Sequence, residues 1–134
     1  MREAWFASVL VCAVSVSAEV TPPAEQASGP RVEQAVVCTG VVDRTPHGAG
    51  DTFDADVGRL YCFTKLIGIQ NETTISHVWY RGEQKVHAQP LAVRAPAWRT
   101  WSNKGIPSNG QGAWHVDVVT AEGTVLTTAA FTIR

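Results

Sequence analysis

The stretch that decides the fold is residues 73–81, with the sequence TTISHVWYR. Its side chains alternate with a period of two, so that Ile75, His77 and Trp79 share one face of an extended segment. Its last residue, Arg81, begins a polar RGE tripeptide that is typical of a tight turn. Residues 84–93 then return as a second extended segment, and the pair predicts a β-hairpin.

Five further segments on either side of this hairpin have the same short, strand-like character. They are Arg31–Cys38, Gly58–Ile67, Trp98–Lys104, Trp114–Thr120 and Thr124–Ile133. Polar or glycine-containing turns separate them, a long loop fills residues 39–57, and no segment after residue 30 has a helical period. The pattern therefore predicts an all-β chain that forms a single antiparallel β-sandwich of immunoglobulin-like architecture. The likeness is architectural only, because the strand at residues 114–120 lacks the cysteine of an immunoglobulin disulfide.

The N-terminus predicts an export signal over residues 1–18. Arg2 supplies a positive charge, residues 5–14 form an apolar run, and Val16-Ser17-Ala18 suits a signal peptidase. The run is too short for a permanent transmembrane helix. A buried N-terminal helix and a lipoprotein signal at Cys12 are the alternatives, and a signal kept as an anchor also stays open.

The domain organisation follows from the next change in composition. Residues 19–30, EVTPPAEQASGP, contain almost no large apolar side chain and predict a flexible linker. The sandwich then occupies residues 31–134. We expect the mature protein to be periplasmic or secreted.

Two cysteines remain after the predicted signal, Cys38 and Cys62. In an oxidising compartment an even pair indicates a disulfide. The bridge would close a loop of about 25 residues and stabilise the fold by about 3 kcal/mol. Two unrelated buried thiols are the alternative.

Composition and motifs argue against several function classes. The formal net charge of −1 gives no general attraction for nucleic acid. The four histidines include no closely spaced ligand pair, so we expect no metal, and no sequence pattern points to a cofactor. No serine lies in a G-x-S-x-G nucleophile motif, and the sequence does not predict an enzyme.

Several stretches together resemble a known family. They are AVVCTGVVDRTPHGAGDTF, ADVGRLYCFTKL, ISHVWYRGE, WRTWSNK, GAWHVDVV and the closing G-T-V-L and F-T-I. In this order they resemble the bacterial domain-of-unknown-function family 2914, from Val32 to the C-terminus. The most specific parts are His77, Trp79 and Tyr80 and the segment 98–102. The resemblance implies an exported or membrane-attached β-sandwich module and brings no activity with it.

The candidate binding site is a group of aromatic and polar side chains: Trp98, Arg99, Trp101, Ser102 and His77. Trp98 and Trp101 are three residues apart, so a strand directs them to opposite faces and one of them should be largely exposed. Arg99 shares the face of Trp101 and could stack on it. This pairing suits a sugar ring, a carboxylate or a proline-rich peptide. The alternative is that Trp79, Trp114 and one of these two tryptophans fill the core, and that Arg99 and His77 bind buried carbonyls or a carboxylate.

The function predicted from these features is an exported, non-catalytic binding or assembly module of the bacterial envelope. Its partner would be an envelope protein or a carbohydrate that the sequence does not identify. A hydrolase acting on envelope polymers is one alternative. A purely structural accessory subunit, whose exposed sheet edge accepts a partner strand, is another.

Overall fold

A computed structural model describes residues 29–134, which form ten strands and one short 3-10 turn. The strands are β1 (Arg31–Cys38), β2 (Gly40–Val42), β3 (Thr45–His47), β4 (Thr52–Phe53), β5 (Arg59–Ile67), β6 (Thr73–Arg81), β7 (Gln84–Val93), β8 (Trp98–Gly105), β9 (Gly112–Thr120) and β10 (Val125–Ile133), with the turn at Ala55–Val57. The predicted signal and most of the predicted linker, residues 1–28, lie outside the described residues.

Two sheets pack face to face. One has three strands in the order β1-β5-β8, and the other has five in the order β4-β10-β9-β6-β7. All pairs in the first sheet are antiparallel, and so are all but one in the second. The predicted all-β antiparallel sandwich is confirmed. The exception is β4, which pairs parallel with β10 and which the sequence did not predict.

Strand β6 shows why the predicted alternation fixes the fold. It lies between β7 and β9 and is hydrogen-bonded on both sides. Ile75, His77 and Trp79 are all buried between the sheets, whereas the alternate residues lie on the outer face. A one-residue slip would move the whole buried set to the surface, so the register of this central strand is strongly specified.

The interior contains two apolar clusters. The larger one surrounds Trp79, Trp114 and Phe131, whose rings make edge-to-face and stacked contacts at centroid distances of 5.9–6.1 Å. The smaller one comprises Leu66, Ile69, Ile75, Val93 and Val118. Both Trp79 and Trp114 are buried, as their alternation with aliphatic residues predicts.

The predicted loop at residues 39–57 is more ordered than expected. Strands β2 and β3 form a separate hairpin, whose turn residues Asp43 and Arg44 have φ angles of 51° and 58°. The hairpin lies over the outer face of the three-stranded sheet, where the Arg44 carbonyl accepts a hydrogen bond from Arg99 Nη1 at 3.4 Å. The two outer-face positions Cys38 and Phe63 are consequently almost fully buried.

The predicted disulfide is absent from the structure, which has Cys38 and Cys62 as buried free thiols. Their strands are neighbours, as expected, but the register pairs Cys38 with Tyr61 and Val37 with Cys62. Because adjacent residues of a strand point to opposite faces, the two thiols lie on opposite sides of the sheet. Burial raises the pKa of both thiols, that of Cys62 to about 12.

Candidate functional site

A polar layer separates the two apolar clusters. His77 on β6 lies at its centre and is fully buried. Its Nδ1 is 2.7 Å from Ser102 Oγ, and its Nε2 is 3.2 Å from Thr64 Oγ1. Ser102 also accepts a hydrogen bond from Trp79 Nε1 at 3.0 Å, and Thr64 donates to the Thr100 carbonyl at 3.3 Å. The layer therefore joins β6 to both β5 and β8.

One arrangement of protons uses every donor and acceptor of this layer. In it the Trp79 indole N–H donates to Ser102, the Thr100 carbonyl accepts from Thr64, and each hydroxyl accepts on one side and donates on the other. His77 is then neutral, with its proton on Nε2 and with Nδ1 accepting from Ser102. Burial lowers the pKa of His77 to about 4, which agrees with a neutral ring. Every buried side-chain nitrogen and oxygen among residues 29–134 has a partner.

This geometry corrects the place of two predicted binding residues. Ser102 is 2% exposed and His77 is 0% exposed, so neither can touch a partner at the surface. The alternative role considered for His77, binding to buried polar groups, is the one found in the structure. A serine next to a histidine invites comparison with a catalytic triad. Here the second imidazole nitrogen faces the Thr64 hydroxyl rather than a carboxylate, and solvent does not reach the pair.

The two tryptophans of β8 point to opposite faces, as predicted. Trp98 packs against the smaller apolar cluster, and the Arg44 guanidinium lies 5.8 Å from its ring centroid. Trp101 lies on the outer face and stacks on Phe63, with centroids 6.3 Å apart and planes 17° apart. Both are half-buried, so the expectation that one would be largely exposed is wrong.

The predicted stacking of Arg99 on Trp101 is also absent. Arg99 is exposed, but its hydrogen bond goes to the Arg44 carbonyl across the sheet surface. The cation–π contacts instead join Arg44 to Trp98 and Arg81 to Trp114. Arg99 therefore tethers the β2–β3 hairpin and does not stack on Trp101.

The outer face of the three-stranded sheet brings aromatic and basic side chains together. The register places Phe63 opposite Trp101 and Lys65 opposite Arg99. Tyr61 and Arg59 continue the same row of β5, and Arg59 Nη1 donates to the Asn103 amide oxygen. We call the set Arg59, Tyr61, Lys65, Arg99 and Trp101 the aromatic–basic face. It is the surface around two of the predicted residues, Arg99 and Trp101.

Sequence reasoning missed Arg59, Tyr61 and Lys65 of this face, and also Phe63 and Arg44, which lie next to it. Tyr61 and Phe63 were assigned to a strand but not to the site, because their distance from Trp101 depends on strand register. Arg44 was placed in a loop, and the hairpin that carries it to β8 has no glycine at its turn. The usual Asn-Gly or Asp-Gly signal of such a turn is therefore missing.

Other functional features of the described residues are few. Residues 29–134 contain no group of three or more His, Cys, Asp or Glu side chains that could hold a metal ion. Asp54, in the acidic segment after β4, forms an ion pair of 2.8 Å with Arg134. Within the same residues, no helix has the length and apolar character needed to cross a membrane.

Comparison with known proteins gives a similarity to one family over part of the chain. Residues 72–133 match the family described as protein of unknown function (DUF2914). The DUF2914 match confirms the resemblance over β6 to β10, whereas the stretches quoted before residue 72 lie outside it. It includes Arg99 and Trp101 but not the β5 side of the aromatic–basic face. No curated protein matches the chain.

Proposed function

We propose that the protein is an exported, non-catalytic binding module of the bacterial envelope and that the aromatic–basic face is its contact surface. The observation that carries this proposal is the position of Trp101. One side of its ring packs on Phe63, while β8 has no neighbouring strand on the other side within the described residues. The ring is thus held in place before any partner arrives, which reduces the entropy lost on binding.

The surroundings of Trp101 support the same proposal. Arg59 and Arg99 are exposed on this face, and neither has a carboxylate partner among residues 29–134. Tryptophan, tyrosine and arginine are the residue types that most often dominate binding energy at interfaces. The nearest nucleophile and base, Ser102 and His77, are sealed inside the domain, which favours binding over hydrolysis.

The experiment compares binding of purified variants to envelope fractions of the native host by co-sedimentation. Trp101→Ala and Arg99→Ala should lose most of the binding of the unaltered protein. Tyr80→Ala is the matched control, because Tyr80 is a half-buried aromatic that also stacks on a cross-strand partner, His115, with centroids 4.7 Å apart. It lies on the outer face of the other sheet and should bind normally. Equal binding by all variants, or loss only in Tyr80→Ala, would refute the proposed surface.

A further inference from the structure

A shallow depression of about 380 Å³ adjoins the aromatic–basic face, between the tip of the β2–β3 hairpin and the start of β8. Its lining comprises Arg44, Lys65, Ala97, Trp98 and Arg99. All of its charged side chains are therefore cations. Three like charges around one small depression repel one another, and a bound anion would remove that repulsion.

The cations of the depression are only partly neutralised by the protein. Lys65 Nζ lies 3.3 Å from Glu33 Oε1 at the sheet surface. Arg44 and Arg99 have no carboxylate partner among residues 29–134. A guanidinium offers a planar fork of donors that matches the two oxygens of a carboxylate. Two guanidiniums without a carboxylate partner give the depression the chemistry of a carboxylate site.

The protein also fixes the position of Arg44. Both residues of the hairpin turn have positive φ, a conformation that glycine or asparagine adopts more easily than arginine. The Arg44 guanidinium rests on the Trp98 ring, and its carbonyl is held by Arg99. The charge is thus held at the depression by contacts at both ends of the residue.

The dimensions of the surface indicate the shape of the ligand. Three strands about 4.8 Å apart and about eight residues long cover at most roughly 14 Å by 26 Å, and the β2–β3 hairpin lies over part of this area. This is less than half of the roughly 800 Å² that each partner buries in a typical stable protein–protein interface. A narrow strip of this kind suits a chain-like ligand better than a globular protein.

We infer that the depression binds the carboxylate of an acidic polysaccharide and that a neighbouring sugar ring of the same chain lies on Trp101. Arg99 and Trp101 are two residues apart on one side of β8, a separation of about 7 Å. The side of the indole that does not pack on Phe63 contacts the apolar C–H face of a sugar ring, and the Arg44 and Arg99 guanidiniums donate hydrogen bonds to the carboxylate. This inference rests on the proposed function, because it assigns a ligand to the same surface.

Isothermal titration with an oligogalacturonate tests the ligand. Its methyl ester has the same sugar rings without charge, and inorganic phosphate is a compact anion without a sugar. The oligogalacturonate should bind, and the ester and phosphate should bind roughly tenfold more weakly or not at all. Arg44→Ala and Arg99→Ala should each weaken binding by roughly tenfold. Lys85→Ala removes one exposed positive charge from β7 and should have no effect.

The remaining outcomes each overturn part of the argument. If phosphate binds more tightly than the oligogalacturonate, the site recognises a phosphate group and not a carboxylate. If the methyl ester binds as tightly as the oligogalacturonate, the cations do not contribute to binding. Should Arg44→Ala fail to fold, Arg99→Ala still tests the depression, since Arg99 is exposed and donates only to a carbonyl. The unaltered protein could also fail to bind the oligogalacturonate while its binding to envelope fractions still depends on Trp101. That result would refute the acidic polysaccharide as the ligand and leave the proposed function intact.

Discussion

Acidification should destabilise the protein through His77. Burial lowers the pKa of its imidazole from 6.5 to about 4. Above the unfolded pKa neither state is protonated, whereas at lower pH the unfolded chain binds a proton that the folded chain excludes. Stability should therefore fall as the pH falls from about 6.5 to about 4, by about 1.4 kcal/mol per pH unit. The total is about 3 kcal/mol, a large part of the 5–15 kcal/mol that is typical of a domain.

Urea denaturation followed by tryptophan fluorescence at several pH values would measure this loss. His77→Gln is the informative comparison, because an amide can donate to Thr64 and accept from Ser102 but does not titrate. Other acidic groups titrate in both proteins, so the quantity to follow is the difference in unfolding free energy between them. That difference should change by about 3 kcal/mol across the interval. If it is independent of pH, His77 is not held neutral by burial and our account of the polar layer is wrong.

Three further outcomes follow from the interior. Ser102→Ala should cost about 2–4 kcal/mol in urea denaturation, because the Trp79 indole N–H and one imidazole nitrogen lose their partner; a cost below about 0.5 kcal/mol would contradict the hydrogen-bond chain. Thiol titration of the unfolded, unreduced protein should detect both Cys38 and Cys62, and the absence of free thiol would restore the predicted bridge. Trp79→Ala should lower the free energy of unfolding by about 3–5 kcal/mol. Trp101→Ala should lower it clearly less, because Trp101 is only half-buried, and an equal loss in the two variants would mean that Trp101 belongs to the core.

Much of the strand pattern could be predicted from the sequence because burial in a sandwich repeats every two residues. Strands β1, β6 and β7 have the predicted bounds, and β5, β8, β9 and β10 begin or end within two residues of them. In β6 the apolar alternation, the following turn and the returning strand all predict the same β-hairpin. Local signals of this kind need no knowledge of the partner strand.

The failures depend on contacts between distant parts of the chain. The disulfide prediction needed the register of β1 against β5, and a shift of one residue separates the thiols by the thickness of the sheet. The short strands within residues 39–57 obtain their partners from the hairpin fold and from β10, the last strand. Residues 43 and 44 give no glycine signal for their turn. None of these contacts is visible in local periodicity.

Part of the candidate site could be predicted from the alternation of side chains along β8, and part could not. Alternation along β8 correctly separates Arg99 and Trp101 from Trp98 and Ser102. It does not say which set faces inward, because each contains one tryptophan and one polar residue. The hydrogen bonds of His77 decide the matter, since they hold Ser102 between the sheets and thereby turn Trp101 outward.

The central position of β5 limits how the chain can be divided. In the sheet order β1-β5-β8, β5 is the strand that is hydrogen-bonded to β8. The family match begins at residue 72, after β5 has ended. A fragment cut at that boundary would leave β8 without its sheet and the apolar side of β6 and β9 uncovered. We expect such a fragment to aggregate on expression rather than fold. We therefore expect residues 31–71 and 72–133 to fold as one cooperative unit, and a shorter unit bounded by the family match not to fold alone.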